Sequence, residues 1–200
     1  MLYVVLRILL APLFFLIFRP RIQGYERLFF RGKAVLVSNH VALKDPVMIA
    51  FVCPRVVHFM AKQELFEKPL PRFLLRWGFL TFPVNRKHAD MVSLKKAMAL
   101  LDKGKVFGIF PEGRRSVTGE LDEFEKGAAF LALRCNAPII PYYSDPFAPR
   151  RHRARVIVGE PMDAKAIADA CGGRAVDAVT NALHDRMQAL KNEMAGWDRL

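Results

Sequence analysis

Residues 34–52 read Ala34-Val35-Leu36-Val37-Ser38-Asn39-His40-Val41-Ala42-Leu43-Lys44-Asp45-Pro46-Val47-Met48-Ile49-Ala50-Phe51-Val52. A short apolar run ends in a polar cluster, and a second apolar run opens on a proline. The first run predicts a buried strand, Ala34–Ser38. The second predicts a helix from Pro46, with Asp45 at the cap and proline at the first helical position.

The same alternation continues along the chain. Strands are predicted at Val56–Met60, Phe79–Val84 (despite Pro83), Val106–Phe110, Ala137–Tyr143 and Val156–Val158. Between them, Met91, Leu94, Met98 and Leu101 recur at helical spacing within 89–101, and Gly104 follows as a stop. Residues 125–135 and 175–194 suit helices, and a short helix resumes after Pro69 and Pro71. Strands alternating with helices predict an α/β fold, with a mixed, largely parallel sheet flanked by helices. No repeat and no composition break divides the chain, so residues 21–200 read as a single domain and 1–20 as an N-terminal segment with its own character.

That segment, 2–18, reads LYVVLRILLAPLFFLIF, with Arg7 as its only charge. Seventeen helical residues reach only ~26 Å against ~30 Å of bilayer hydrocarbon. Arg7 in lipid would cost at least ~2.5 kcal/mol, and Pro12 favours a kink. A helix embedded at the interface, with Arg7 reaching to the head groups, costs less. Arg19, Arg21 and Arg27 follow directly, which places the body of the protein on the cytoplasmic face of the inner or plasma membrane.

The 200 residues include 31 Lys or Arg against 19 Asp or Glu, a net charge of +12. With 52 % hydrophobic residues the chain is not disordered, and its charge favours an anionic partner. Nucleic acid explains only the charge: there is no recognition-helix pattern or aromatic strand motif, and the apolar N-terminus would have no purpose. Cys53, Cys135 and Cys171 are odd in number and widely spaced, and the five histidines show no ligand spacing, so neither a disulfide framework nor a metal site is expected.

Two motifs carry chemistry. His40 and Asp45 stand five apart, and five helical steps turn the chain by ~500°, or 140° net, so they share no helix face. They meet only if the chain turns between strand and helix. There Asp45 can fix the tautomer of His40 and leave its other ring nitrogen as a base. Taken alone, the spacing favours a surface histidine and an aspartate that only caps the helix. The second motif, Phe110-Pro111-Glu112-Gly113-Arg114-Arg115-Ser116, follows a strand. Gly113 permits a sharp turn and two guanidiniums can grip a phosphate, although an ordinary basic loop would read the same.

In this order, about seventy residues apart, the two motifs resemble those of the glycerolipid acyltransferase family typified by 1-acyl-glycerol-3-phosphate acyltransferases. His40 and Asp45 match its N-H-x4-D motif and Phe110–Ser116 its F-P-E-G-T-R-S motif. Val84-Asn85-Arg86 resembles the intermediate block ending in a substrate-binding arginine, and Ala137-Pro138-Ile139-Ile140-Pro141-Tyr142 the block lining the acyl side. The resemblance runs from about Gly24 to the C-terminus. It departs from the pattern at Ala42, where a small hydroxyl residue is common, and at Arg114, where threonine is usual.

The resemblance implies transfer of a fatty acyl group from acyl-CoA or acyl carrier protein to the free hydroxyl of lysophosphatidic acid or a related lysolipid, in phospholipid biosynthesis. It implies His40 as base and Asp45 as its orienting partner, and needs no cofactor. Arg86, Glu112, Gly113, Arg114 and Arg115 would hold the acceptor phosphate and the loop around it; Pro138, Ile139, Ile140 and Pro141 would line the acyl side. A lyso-aminolipid acceptor, or a non-catalytic module binding anionic membrane, are the alternatives. The basic run Arg150–Arg155 reads as a solvated loop or as a contact with anionic head groups.

Overall fold

The computed structural model describes residues 2–67, 72–73, 80–84, 91–145 and 153–197. Its main sheet has six strands: β1 (Arg21–Gln23), β2 (Ala34–Ser38), β3 (Val57–His58), β6 (Val106–Ile109), β7 (Ile139–Asp145) and β8 (Arg155–Val158), ordered β1-β8-β7-β2-β6-β3. All neighbours run parallel except β7 and β8. The expected mixed, largely parallel sheet is therefore present. β4 (Met60–Lys62) and β5 (Phe82–Val84) form a separate parallel pair.

β2 lies at the centre. All five of its residues are buried, as a continuous apolar run between two parallel neighbours requires. Its alternate side chains feed two cores. Val35 and Val37 join Phe107, Ile139 and Ile157 beneath α3 (Met91–Asp102), α4 (Gly127–Cys135), α5 (Ala164–Ala170) and α6 (Ala175–Gly196). In α6, Val179, Leu183, Met187, Leu190 and Met194 recur at three- and four-residue steps, one buried stripe of a helix. On the other face, Leu36, Ile140, Tyr142, Val156 and Val158 pack under α2 (Asp45–Val52) and α1 (Leu2–Phe18).

The stretch expected as one strand at Val56–Met60 is broken at Phe59. Gly108 on β6 explains the break, because the Phe59 ring fills the space where a side chain would stand: a Cβ there would lie 2.3 Å from the ring. The chain then leaves the main sheet and pairs with β5. Of the strand expected from Phe79 and the apolar ledge of Phe66, Phe73, Leu74, Leu75, Trp77 and Phe79, only Phe66, Phe73 and residues 80–84 are among the described residues; Phe66 is half-buried and Phe73 exposed. β1 and α5 were not anticipated. α5 does carry a start signal: Asp163 accepts from the amides of Lys165 and Ala166.

α1 has the bounds expected from its apolar run. Tyr3 and Phe14 are buried against α2, with Phe14 stacked on Phe51 at 4.4 Å. Arg7 does not extend away from the protein: its guanidinium donates to the carbonyls of Pro54 (3.1 Å) and Phe51 (3.5 Å), where α2 ends. Cation against helix C-terminus is the favourable pairing. Val4, Val5, Ile8, Leu9, Leu10, Leu13, Phe15, Leu16 and Ile17 stay exposed. No helix among the described residues is long and apolar enough to cross a membrane.

Candidate active site

Where β2 ends, its neighbour β7 continues, and Asn39 bridges the difference. Its amide donates to the carbonyl of Ser144 and accepts from the amide of Ser144, both at 2.9 Å. A side chain thus replaces one rung of the ladder, and the backbone is free to turn at His40.

The turn brings His40 and Asp45 together. His40 Nδ1 lies 3.0 Å from Asp45 Oδ2. The same oxygen accepts from the amides of Val41 (2.7 Å) and Ala42 (2.8 Å). Asp45 is the first residue of α2, and its carboxylate bonds back into the turn instead of capping the helix. An oxygen already taking two backbone N–H groups can only accept from the imidazole, so Nδ1 carries the proton and Nε2 has its lone pair available. Asp45 is fully buried, whereas the His40 side chain retains 12 % exposure. The His40 ring stacks on Phe110 at 4.2 Å.

The second motif is bolted to the first through the backbone of the same histidine. Glu112 Oε1 accepts from the His40 amide at 3.0 Å, and the Ser116 amide donates to the His40 carbonyl at 2.7 Å. Glu112 Oε2 also accepts from the Asp122 amide at 3.4 Å. Burial raises the Glu112 pKa above the usual glutamate range, with the His40 and Asp122 amides pulling the other way. Its carboxylate braces the loop and is turned away from solvent. Gly113 adopts φ +66°, the left-handed turn that glycine favours. Arg114 and Arg115 project outward; Arg114, 73 % exposed, pairs with Asp122 at 3.1 Å.

The remaining expected residues divide. Arg86 lies outside the described residues. Pro138, Ile139, Ile140 and Pro141 lead into and form β7, but Ile139 and Ile140 are fully buried in the cores on opposite faces of the sheet. They do not form one open wall, because consecutive strand residues point to opposite sides. Ala42 is buried and contributes its amide to Asp45. Sequence reasoning gave no role to Asn39 or Ser116, since both act through backbone partners that only the fold brings near. A cavity of about 530 Å³ opens beside the turn, walled by Asn39, Val41, Ser116, Ser144 and Lys191 among others. No three His, Cys, Asp or Glu side chains converge as metal ligands among the described residues.

Comparison with known proteins places the chain in a family. Residues 19–145 match the family model described as Acyltransferase. A 1-acyl-sn-glycerol-3-phosphate acyltransferase of Bacillus subtilis is 30 % identical over 167 residues, covering 80 % of this chain and 82 % of its own. One from Borreliella burgdorferi is 31 % identical over 124 residues, 60 % of this chain and 48 % of its own. The chain therefore spans most of the first relative and about half of the second. The crystal structure of the 1-acyl-sn-glycerophosphate (LPA) acyltransferase PlsC from Thermotoga maritima superposes with a TM-score of 0.69, over 87 % of this chain and 71 % of the other, at 21 % identity.

Proposed function

The chain belongs to the acyltransferase family, and on that footing we propose that it transfers a fatty acyl group from an acyl thioester to the free hydroxyl of a 1-acylglycerol 3-phosphate or a related lysolipid. The observation that carries this reading is the 3.0 Å contact between His40 Nδ1 and Asp45 Oδ2, braced against the loop that bears Arg114 and Arg115. The relatives named as acting on 1-acyl-sn-glycerol 3-phosphate supply the substrate class.

In this reading His40 Nε2 removes the proton from the acceptor hydroxyl as its oxygen attacks the thioester carbonyl. The imidazolium that forms is balanced by Asp45. The tetrahedral intermediate collapses, the C–S bond breaks, and the thiolate leaves with the proton returned by His40. General-base catalysis of this kind contributes roughly 10²–10⁴ in rate. Arg86, Arg114 and Arg115 hold the acceptor phosphate, and Glu112 and Gly113 hold the loop in shape. The donor is acyl-CoA or acyl carrier protein, and the product feeds phospholipid biosynthesis.

The exposed apolar face of α1 rests in an anionic membrane, while 21–200 forms the catalytic domain at the cytoplasmic face. The mean position of α1 is interfacial, in keeping with its length.

The test is an assay of the purified, detergent-solubilised protein against a panel of lyso-acceptors with both donors. Turnover on lysophosphatidic acid, lost in His40→Ala with vesicle sedimentation retained, supports the proposal. His40→Ala with undiminished turnover overturns it.

A further inference from the structure

The His40 imidazole lies nearly flat on a ring supplied by the second motif. Its centroid stands 4.2 Å from that of Phe110, with 22° between the planes. Phe59 backs Phe110 in turn, at 5.9 Å and 12°, so the three rings form one stack. The base of the stack is fixed, because Phe59 is 2 % exposed and fills the space over Gly108. Phe110 is also held by its backbone: its carbonyl accepts from the Gly113 amide at 3.1 Å, in the turn that presents the arginines. Stacking occupies the face of the imidazole and leaves the edge, where both nitrogens lie, to Asp45 and the acceptor. A single hydrogen bond through Nδ1 would let the ring swing about that bond. The flat contact stops the swing.

A phenyl face carries the negative side of the ring quadrupole and attracts a cation lying within about 6 Å of its centre. Neutral imidazole gains only packing from such a neighbour. Imidazolium gains more, and it exists only while the acceptor's proton rests on Nε2. An interaction of that kind favours the transition state over the ground state.

We propose that Phe110 is a positioning residue for the reaction: its ring holds the plane of His40 and stabilises the imidazolium across its face, while Asp45 balances the charge at the edge. The inference rests on His40 as the base. The charged groups that face His40 are Asp45 of α2, on Nδ1, and Glu112 of the loop after β6, on the backbone amide. Lys44, beside Asp45 on the turn, lies over the Phe18 ring of α1 at 5.3 Å, Arg114 pairs with Asp122, and Arg115 projects outward. The rings stacked behind the imidazole carry no charge.

Phe110→Leu keeps an apolar side chain and removes the aromatic face. Its kcat is expected to fall about 2- to 30-fold, the range for a cation over an aromatic ring from exposed to desolvated sites. KM for both substrates should hold. The acid limb of the pH–rate profile should move to lower pH by about 0.4 to 1.5 pH units, because the protonated ring has lost a stabilising neighbour. An unchanged kcat, or a fall in kcat with the limb unmoved, overturns the proposal, since loss of packing alone does not shift the limb.

Should F110L not fold, phenylalanines with one, two and three ring fluorines at position 110 withdraw electron density from the face at nearly constant shape. The kcat and the limb should step down with each fluorine, and a flat series is fatal. His40→Ala measured alongside separates the two ideas. If H40A abolishes turnover while no change at Phe110 moves the limb, the base stands and the aromatic role falls; an active H40A sinks both.

Discussion

Glu112 Oε1 sits 3.0 Å from the backbone amide of His40, so a carboxylate seventy-two positions away fixes the peptide on which the imidazole is mounted. With the Ser116 amide on the His40 carbonyl, both sides of that residue's backbone are held by one loop. The His40 backbone and the cationic loop are one mechanical unit.

Glu112 should therefore reveal itself through pH. Its pKa is raised by burial, so the native state holds a proton that the unfolded chain has released. That contribution to stability is present below about pH 4, the ordinary carboxyl range, and fades as the pH climbs through the raised value. Glu112→Gln cannot titrate. Melting temperatures measured from pH 4 upward should show the wild type losing ground relative to E112Q; parallel curves would contradict the assignment.

Asp45→Asn preserves shape but not charge. Its amide oxygen can take the three donors that Oδ2 takes, but it carries no charge to balance the imidazolium that the reaction forms. A loss of about 10²–10⁴ in kcat is expected, with little change in KM. Steady-state kinetics on a lyso-acceptor would decide it.

Gly108→Ala acts at a distance. Its new methyl would meet the Phe59 ring at 2.3 Å and Val57 at 2.8 Å. Phe59 stacks on Phe110 at 5.9 Å, and Phe110 stacks on His40. Overpacking of this sort costs about 1–3 kcal/mol. Denaturant midpoints should fall, and kcat should fall further than a neutral core change of equal cost.

Asn39→Ala deprives both backbone groups of the buried Ser144 of their partners. A cost of about 2–4 kcal/mol follows from two unsatisfied groups. Chemical denaturation reads the loss directly, and Asn39→Asp, which turns an acceptor towards the Ser144 carbonyl, should be no better.

Leu9→Glu and Leu16→Glu change two exposed side chains of α1. They should release the protein from anionic vesicles while leaving its unfolding free energy within about 0.5 kcal/mol of wild type. Arg7→Ala should behave in the opposite way, loosening α1 from α2 by about 1 kcal/mol. Co-sedimentation and thermal unfolding together distinguish the two faces.

Much of this was readable beforehand because it depends on local pattern. The apolar run 34–38 reads as a buried strand, and the spacing of Met91, Leu94, Met98 and Leu101 reads as a helix. His40 and Asp45 became legible only with the second motif beside them, because their separation alone excludes a shared helix face without requiring that the two side chains meet. What stayed hidden is non-local. The role of Asn39 depends on a carbonyl 105 residues away, and β1 is three polar-flanked residues whose partner arrives near the far end of the chain. The split at Phe59 follows from a glycine on another strand. Ile139 and Ile140 looked alike as an apolar pair, yet the pleat sends one to each core.

During translation the order of strand pairing becomes a timetable. Arg21 leaves the ribosome early, but its register partner is Arg155, on the strand that also closes against β7. Until that late segment is synthesised, the edge beside α1 has no neighbour, and the nascent chain must hold an unfinished sheet next to a greasy helix. A chaperone or an early bilayer landing is what such an intermediate calls for. A product truncated before position 155 should aggregate rather than fold.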